Sequence, residues 1–170
     1  MLVSPVLGQY VGNKTLRLEP RRSRLRLRLA AEDIARVLPL SGKALEVDGH
    51  KIRVGVPQVM ALEPTPTLVA RVVLVKGFKE PELFLAAIRR QLGALGISAE
   101  ASIPLVREGP HKGEPRRHIV TVKDQRLVGF TVALIGLQPE QSIAVQERGL
   151  GGKQRMGCGF FVPVKRPREL

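Results

Sequence analysis

The chain has 170 residues, 44% of them hydrophobic and 25% charged, and its 28 Lys+Arg against 15 Asp+Glu leave a formal net charge of +13. A lone cysteine, Cys158, excludes a disulfide scaffold and fits a reducing cytoplasm. No apolar run reaches the ~18 residues of a membrane span, no signal-peptide pattern opens the chain, and the apolar content is too high for a disordered polycation. Arginine supplies 19 of the 28 cations. Its planar fork matches phosphate better than an ammonium does, so the composition points to a polyanionic partner, nucleic acid first.

In chain order, Met1–Pro20 reads as irregular structure with one short strand, Thr15–Leu18. Arg24–Leu29 alternates strictly, so a strand would send Leu25, Leu27 and Leu29 to one face and Arg24, Arg26 and Arg28 to the other. Ala31–Leu38 has helical apolar spacing, with Glu32 and Asp33 in the first turn and Pro39 as the stop. Ala44–Val47, the turn Asp48-Gly49 and Lys51–Val56 form a hairpin signature. Pro57–Pro66 contains three prolines and is the expected boundary between two units, residues 1–60 and 61–170.

Beyond it Leu68–Lys76 is an apolar strand. A helix starts at Pro81, repeats Leu83, Phe84, Ala87, Ile88, Leu92 and Leu95 at three and four, and is capped by Gly96. A strand at Ala99–Ile103 precedes the polar loop Arg107–Pro115. Arg116–Val122 and Leu127–Ile135 are strands around the turn Lys123-Asp124, Pro139–Arg148 is a helix, Phe160–Val164 the last strand, and Lys165–Leu170 a frayed tail. This β-α-β-β-(β)-α-β order is that of a ferredoxin-like split βαβ unit, a layout shared with RRM-type RNA-binding modules. The expected fold class is therefore α+β, with tandem ferredoxin-like units. The first lacks its opening strand and helix, and the second ends in a glycine-rich loop.

That loop, Gly149–Gly159, holds Gly149, Gly151, Gly152, Gly157 and Gly159 with Lys153 and Arg155 among them. Glycines let backbone N–H groups approach a phosphate and form an anion nest, and the alternative is a plain helix-to-strand connector. Neither a P-loop nor a dinucleotide fingerprint fits, because Glu147 and Gln154 stand where Gly and Ser/Thr would be needed, and a helix rather than a strand precedes the loop. Arg22, Arg24, Arg26 and Arg28 share one parity at a spacing comparable to phosphates along a strand; the alternative is an edge strand guarded by charge. Arg116 and Arg117 extend the basic surface. Aromatics are too scarce for base-stacking platforms, so contacts to phosphate and helical shape are expected.

No His or Cys spacing suits a metal, and no cofactor is expected. Metal-free RNA cleavage by a 2′-hydroxyl needs a proton acceptor and cations. His118, which shares parity with Arg116, is the catalytic candidate among His50, His111 and His118, against the alternative of a half-exposed strand histidine.

The run Gln146–Pro163 through the glycine loop resembles the C-terminal signature of CRISPR repeat-RNA processing endoribonucleases of the RAMP superfamily, in their myxococcal branch. Ser23–Leu29, Leu38–Lys43, Gly55-Val56-Pro57, Leu68–Arg71, Arg90–Leu92, Leu95–Ile97 and Val128–Phe130 fit the same branch. The resemblance implies tandem ferredoxin-like units with the glycine loop at their cleft. It also implies binding of a CRISPR repeat stem-loop, and metal-independent cleavage to a 2′,3′-cyclic phosphate and a 5′-hydroxyl. Cytoplasmic guide RNAs would then be passed to interference-complex proteins. Gly149 to Gly159, Lys153 and Arg155 carry over as RNA-contacting positions. The family pattern opens with a strand and a histidine-bearing helix that precede the point where this sequence starts, and Ser4-Pro5 stands where a His-Pro pair is expected. A processing enzyme and a non-catalytic repeat-RNA-binding subunit are the two functional expectations; a ribosome-associated protein is a third.

Overall fold

The computed structural model describes residues 1–13, 15–20, 22–122 and 125–164. Its centre is the antiparallel sheet of the second half. β7 (Thr67–Val73) pairs with the second half of β10 (Gln125–Ile135), with Leu68 opposite Leu134 and Val73 opposite Phe130. β11 (Phe161–Pro163) adds to the free edge of β7, and β8 (Glu100–Ser102) to the far edge of β10. The strand order is β11-β7-β10-β8, with β9 (Arg117–Val122) continuing along β10 on the side of β8. β8 and β9 thus divide one edge, interrupted by the expected polar loop, which closes on itself through the Leu105–Pro115 bridge.

Helices α2 (Pro81–Ala94) and α3 (Pro139–Arg148) cover one face. The α2 stripe Phe84, Ala87, Ile88 and Leu92 is buried against Leu68, Ala70, Phe130, Val132 and Leu134. Proline opens each helix. Gly96, at φ 68°, closes α2 in a Schellman turn: its N–H donates to Gly93 O and that of Ile97 to Leu92 O, each at 3.0 Å. Strand alternation leaves the other sheet face to Val69, Arg71, His118, Thr131 and Val162, and there the first half is applied.

The first half departs from expectation. Its strands form three separate pairs: β1 (Leu2–Val3) with β4 (Leu27–Arg28), β2 (Gln9–Gly12) with β3 (Thr15–Arg17), and β5 (Ala44–Val47) with β6 (His50–Arg53). β2, in the stretch expected to be irregular, turns back through Gly12 and Asn13, both at positive φ. Arg24–Leu29 is not one continuous strand. Only Leu27 and Arg28 find ladder partners, because the facing strand is two residues long and Ser4 caps its end with its own side chain. Leu25 is accordingly 58% exposed rather than inside. Ala31–Leu40 is a single α turn, α1 (Ile34–Val37), between two 3-10 turns; it has no buried residue, and without tertiary packing a longer helix has little to hold it. The 57–66 stretch carries no regular structure and runs beside α3, with Thr65 N–H donating to Ser142 Oγ and Gln146 Nε2 to Glu63 O. The Lys123-Asp124 turn and the Lys165–Leu170 tail lie outside the described residues.

Candidate nucleic-acid interface

Between the uncovered sheet face and the first half lies an open cleft of about 610 Å³. Arg22, Arg24 and Arg26 line it from the N-terminal side with Ser4, Pro5 and Leu7; Arg71, Arg116, His118 and Thr131 line it from the sheet, and Phe160, Val162 and Pro163 close one flank. Among the described residues five guanidinium groups and one imidazole line the space, and no carboxylate does. Outside the lining, Glu19 pairs with Arg22 at 3.5 Å.

The arginine segment keeps its place although it is not a strand. The Ser4 N–H donates to Arg26 O and the Arg26 N–H to Ser4 Oγ, both at 2.9 Å. Ser23 Oγ accepts from the Glu19 N–H and donates to Leu7 O at 2.6 Å. These bonds hold the backbone so that Arg22, Arg24 and Arg26 reach the cleft. Arg28, of the same parity, does not. Its guanidinium donates to Gln146 O at 2.8 Å and lies 4.1 Å from the centroid of the Phe160 ring. Burial, with the Arg26 charge adding to it, lowers its pKa to about 10, which leaves it charged at neutral pH. Arg28 joins the N-terminal segment to the last helix and strand; its side chain is spent inside the protein.

His118 sits on β9 with Nε2 2.9 Å from Thr131 Oγ1, whose hydroxyl donates to Arg71 O at 2.8 Å. Burial, then the Arg71 charge, then that of Arg116 push its pKa below the ordinary histidine value, so the ring is neutral at pH 7. His50 and His111 are exposed and lie outside the cleft, His111 beside Glu114 at 3.1 Å. Arg117, next to Arg116, is exposed and outside the lining, as strand alternation requires. Arg71 was not singled out from the sequence, yet it is the one charge in the otherwise apolar run Leu68–Val75, and that break was its signal.

The glycine loop borders this site through Phe160 and Pro5, but its backbone is bound inward. The N–H of Gly151 donates to Gln91 Oε1, that of Gly152 to Leu74 O and that of Gly159 to Val72 O, all at 2.8 Å, and that of Gly149 to Val145 O at 2.9 Å. These four donors are committed to the protein, so a nest built on them has nothing left to offer an anion. Gly149, Gly151, Gly157 and Gly159 all have positive φ, and a Cβ at Gly149, Gly151 or Gly159 would strike a carbonyl oxygen of Gly159, Leu74 or Leu150 respectively. The glycines make the loop fold tightly over the end of β7. Lys153 and Arg155 project from it into solvent. Among the described residues no group of three or more His, Cys, Asp or Glu is placed to hold a metal, and no helix is long and apolar enough to cross a membrane.

Comparison with known proteins follows the same line. The CRISPR-associated endonuclease Cas6 of Myxococcus xanthus (strain DK1622) is 40% identical over 149 residues, covering 88% of this chain and 60% of that protein, so the chain spans about three fifths of this curated relative's length. The structure of a Cas6-related gene product from Pyrococcus furiosus matches 96% of this chain and 78% of its own with a TM-score of 0.61; at 14% sequence identity the likeness is one of fold. The family model described as Cas6 Crispr matches residues 1–166, and with that span covered the chain belongs to the Cas6 CRISPR family.

Proposed function

We propose that this chain binds the stem-loop of a CRISPR repeat RNA in its arginine-lined cleft and takes part in cutting the precursor into guide RNAs without a metal or other cofactor. The observation that carries the reading is the cleft itself, a space of about 610 Å³ whose described lining residues include five arginines and a histidine and no carboxylate. Such a surface favours phosphate over any neutral or cationic ligand. Lys153 and Arg155, exposed on the loop that borders the cleft, and Arg117 on the opposite side of its strand extend the contact to more distant phosphates. The processed RNA then passes to other CRISPR-associated proteins in the cytoplasm.

In the cleavage step the 2′-hydroxyl gives its proton to an acceptor as its oxygen bonds the adjacent phosphorus, and the bond from phosphorus to the 5′-oxygen breaks as a donor delivers a proton to that oxygen, giving a 2′,3′-cyclic phosphate and a 5′-hydroxyl. Arg71 and Arg116 are the groups to stabilise the charge that builds on the phosphate, and His118 is the candidate for proton transfer. A second reading, a non-catalytic repeat-RNA-binding subunit, draws support from one fact. Among the described residues that line the cleft, His118 is the single group that can exchange a proton near neutral pH, whereas the reaction uses an acceptor and a donor. Incubation with repeat RNA in EDTA, read on a gel, separates the two: cleavage supports the enzyme, and retention of intact RNA supports the binding subunit.

The same reading assigns residues 61–170 to a ferredoxin-like unit and 1–60 to an incomplete second one. The β11-β7-β10-β8 order, with two helices on one face, supports the first assignment, and the solved fold matched over most of the chain supports the pair.

A further inference from the structure

The floor of the cleft holds an arrangement that electrostatic attraction alone does not require. A hydroxyl has one proton, and that of Thr131 is directed to Arg71 O. Toward His118 the same oxygen can only accept, so Nε2 of the ring carries the hydrogen. The neutral ring therefore presents Nδ1 as a bare lone pair, and that nitrogen has no hydrogen-bond partner among the described residues. Among the described residues, the charged groups that share the cleft with it are Arg71 from β7, Arg116 just before β9, and Arg22, Arg24 and Arg26 from the N-terminal segment; β10 contributes Thr131 and β11 the apolar Val162 and Pro163. A lone pair among cations, with no acid among the described lining residues to balance them, is a position that an anion would complete.

We propose that Arg71, Arg116 and His118 form a seat for one phosphodiester group, and that filling it draws a proton onto His118 Nδ1, so that RNA binding and proton uptake are coupled. This rests on the RNA-binding reading above and gives it a specific contact. In the empty cleft burial and the two arginines disfavour the imidazolium. A phosphodiester between them replaces repulsion by attraction and accepts a hydrogen bond from the new Nδ1–H. The bound ring thus titrates at higher pH than the free one, and affinity rises as pH falls through the interval between the two values, about tenfold for each unit of separation. A cationic His118 is a proton donor, which in the cleavage step places it on the side of the departing 5′-oxygen.

The test is calorimetric titration of a 2′-O-methyl repeat stem-loop, which cannot be cut through its 2′-oxygen, at pH 6.5 in two buffers of different ionisation heat. The expected result is uptake of a sizeable fraction of a proton per RNA, abolished in His118→Gln, which binds the same RNA more weakly at this pH. RNA bound with no uptake, or with the same uptake in His118→Gln, overturns the proposal and leaves the RNA-binding reading intact. A second arm needs no RNA and no variant: the wild-type His118 ring is titrated by NMR with and without tripolyphosphate. The free ring should show Nε2–H with unprotonated Nδ1, and tripolyphosphate should raise its pKa; an unmoved titration overturns the seat. Failure to bind repeat RNA, with the ring still responding to tripolyphosphate, refutes the RNA reading and keeps the phosphate seat.

Discussion

Arg28 lies over the ring of Phe160, 4.1 Å from guanidinium carbon to centroid, and so fastens the arginine segment to the strand that follows the glycine loop. The contact takes Arg28 out of the row that Arg22, Arg24 and Arg26 present to the cleft, and converts one member of a basic stripe into a structural clamp. Arg28→Ala removes the stacking and the charge-assisted bond to Gln146 O. It is expected to lower unfolding free energy by about 2 kcal/mol in urea denaturation. Arg24→Ala, whose side chain lines the cleft, should change stability by less than about 0.5 kcal/mol.

The glycine loop makes a second prediction about architecture. A Cβ at Gly159 would collide with the Leu150 carbonyl at a φ of 68°, whereas at Gly152 the nearest atom is Leu74 O at 3.9 Å and φ is not in the left-handed region. Gly159→Ala should therefore cost more than about 2 kcal/mol, and Gly152→Ala less than about 1, by the same denaturation measurement. Equal effects would mean that the loop is a slack connector.

His118 sets a pH dependence whose sign follows from its lowered pKa. Between the folded value and the ordinary 6.5 the unfolded chain binds more protons, so stability is complete above about 6.5 and declines as pH falls toward the folded value. His118→Gln should flatten that part of the profile. A wild-type protein with level stability through this interval would contradict the burial and charge environment described for the ring.

Binding to RNA should be strongly salt-dependent. With about five phosphates neutralised, log K should fall against log salt with a slope of roughly −3.5 to −4.5. The double change Lys153→Ala, Arg155→Ala is expected to weaken binding by about 1–3 kcal/mol and to flatten the slope by about two. An unchanged slope would remove these two exposed cations from the RNA surface.

The second half was readable because its signals are local and mutually consistent. Pro81, the 3/4 spacing to Leu95 and Gly96 specify α2 without reference to anything else, and Pro139–Arg148 was placed to the residue. In the first half the pattern depended on partners. Arg24–Leu29 alternates like a strand, but whether it pairs is decided by Leu2–Val3 and by the Ser4 side chain, far away in sequence. Three of the four arginines of one parity reached the cleft; Arg28 did not, because an aromatic ring 132 positions later competes for its guanidinium. The glycine loop was legible as a feature, while the commitment of its N–H groups depends on Gln91, Val72 and Leu74, which no motif reports. Family membership was legible from the run ending in Pro163, and the match over residues 1–166 bears it out.

The most direct test of the central claim is the affinity of repeat RNA for the triple variant Arg24→Gln, Arg26→Gln, Arg71→Gln, measured at fixed salt beside the wild-type protein. All three side chains line the cleft, and their removal should raise Kd at least tenfold and flatten the salt slope by about three. A folded triple variant that binds with wild-type Kd and slope would show that the RNA sits elsewhere.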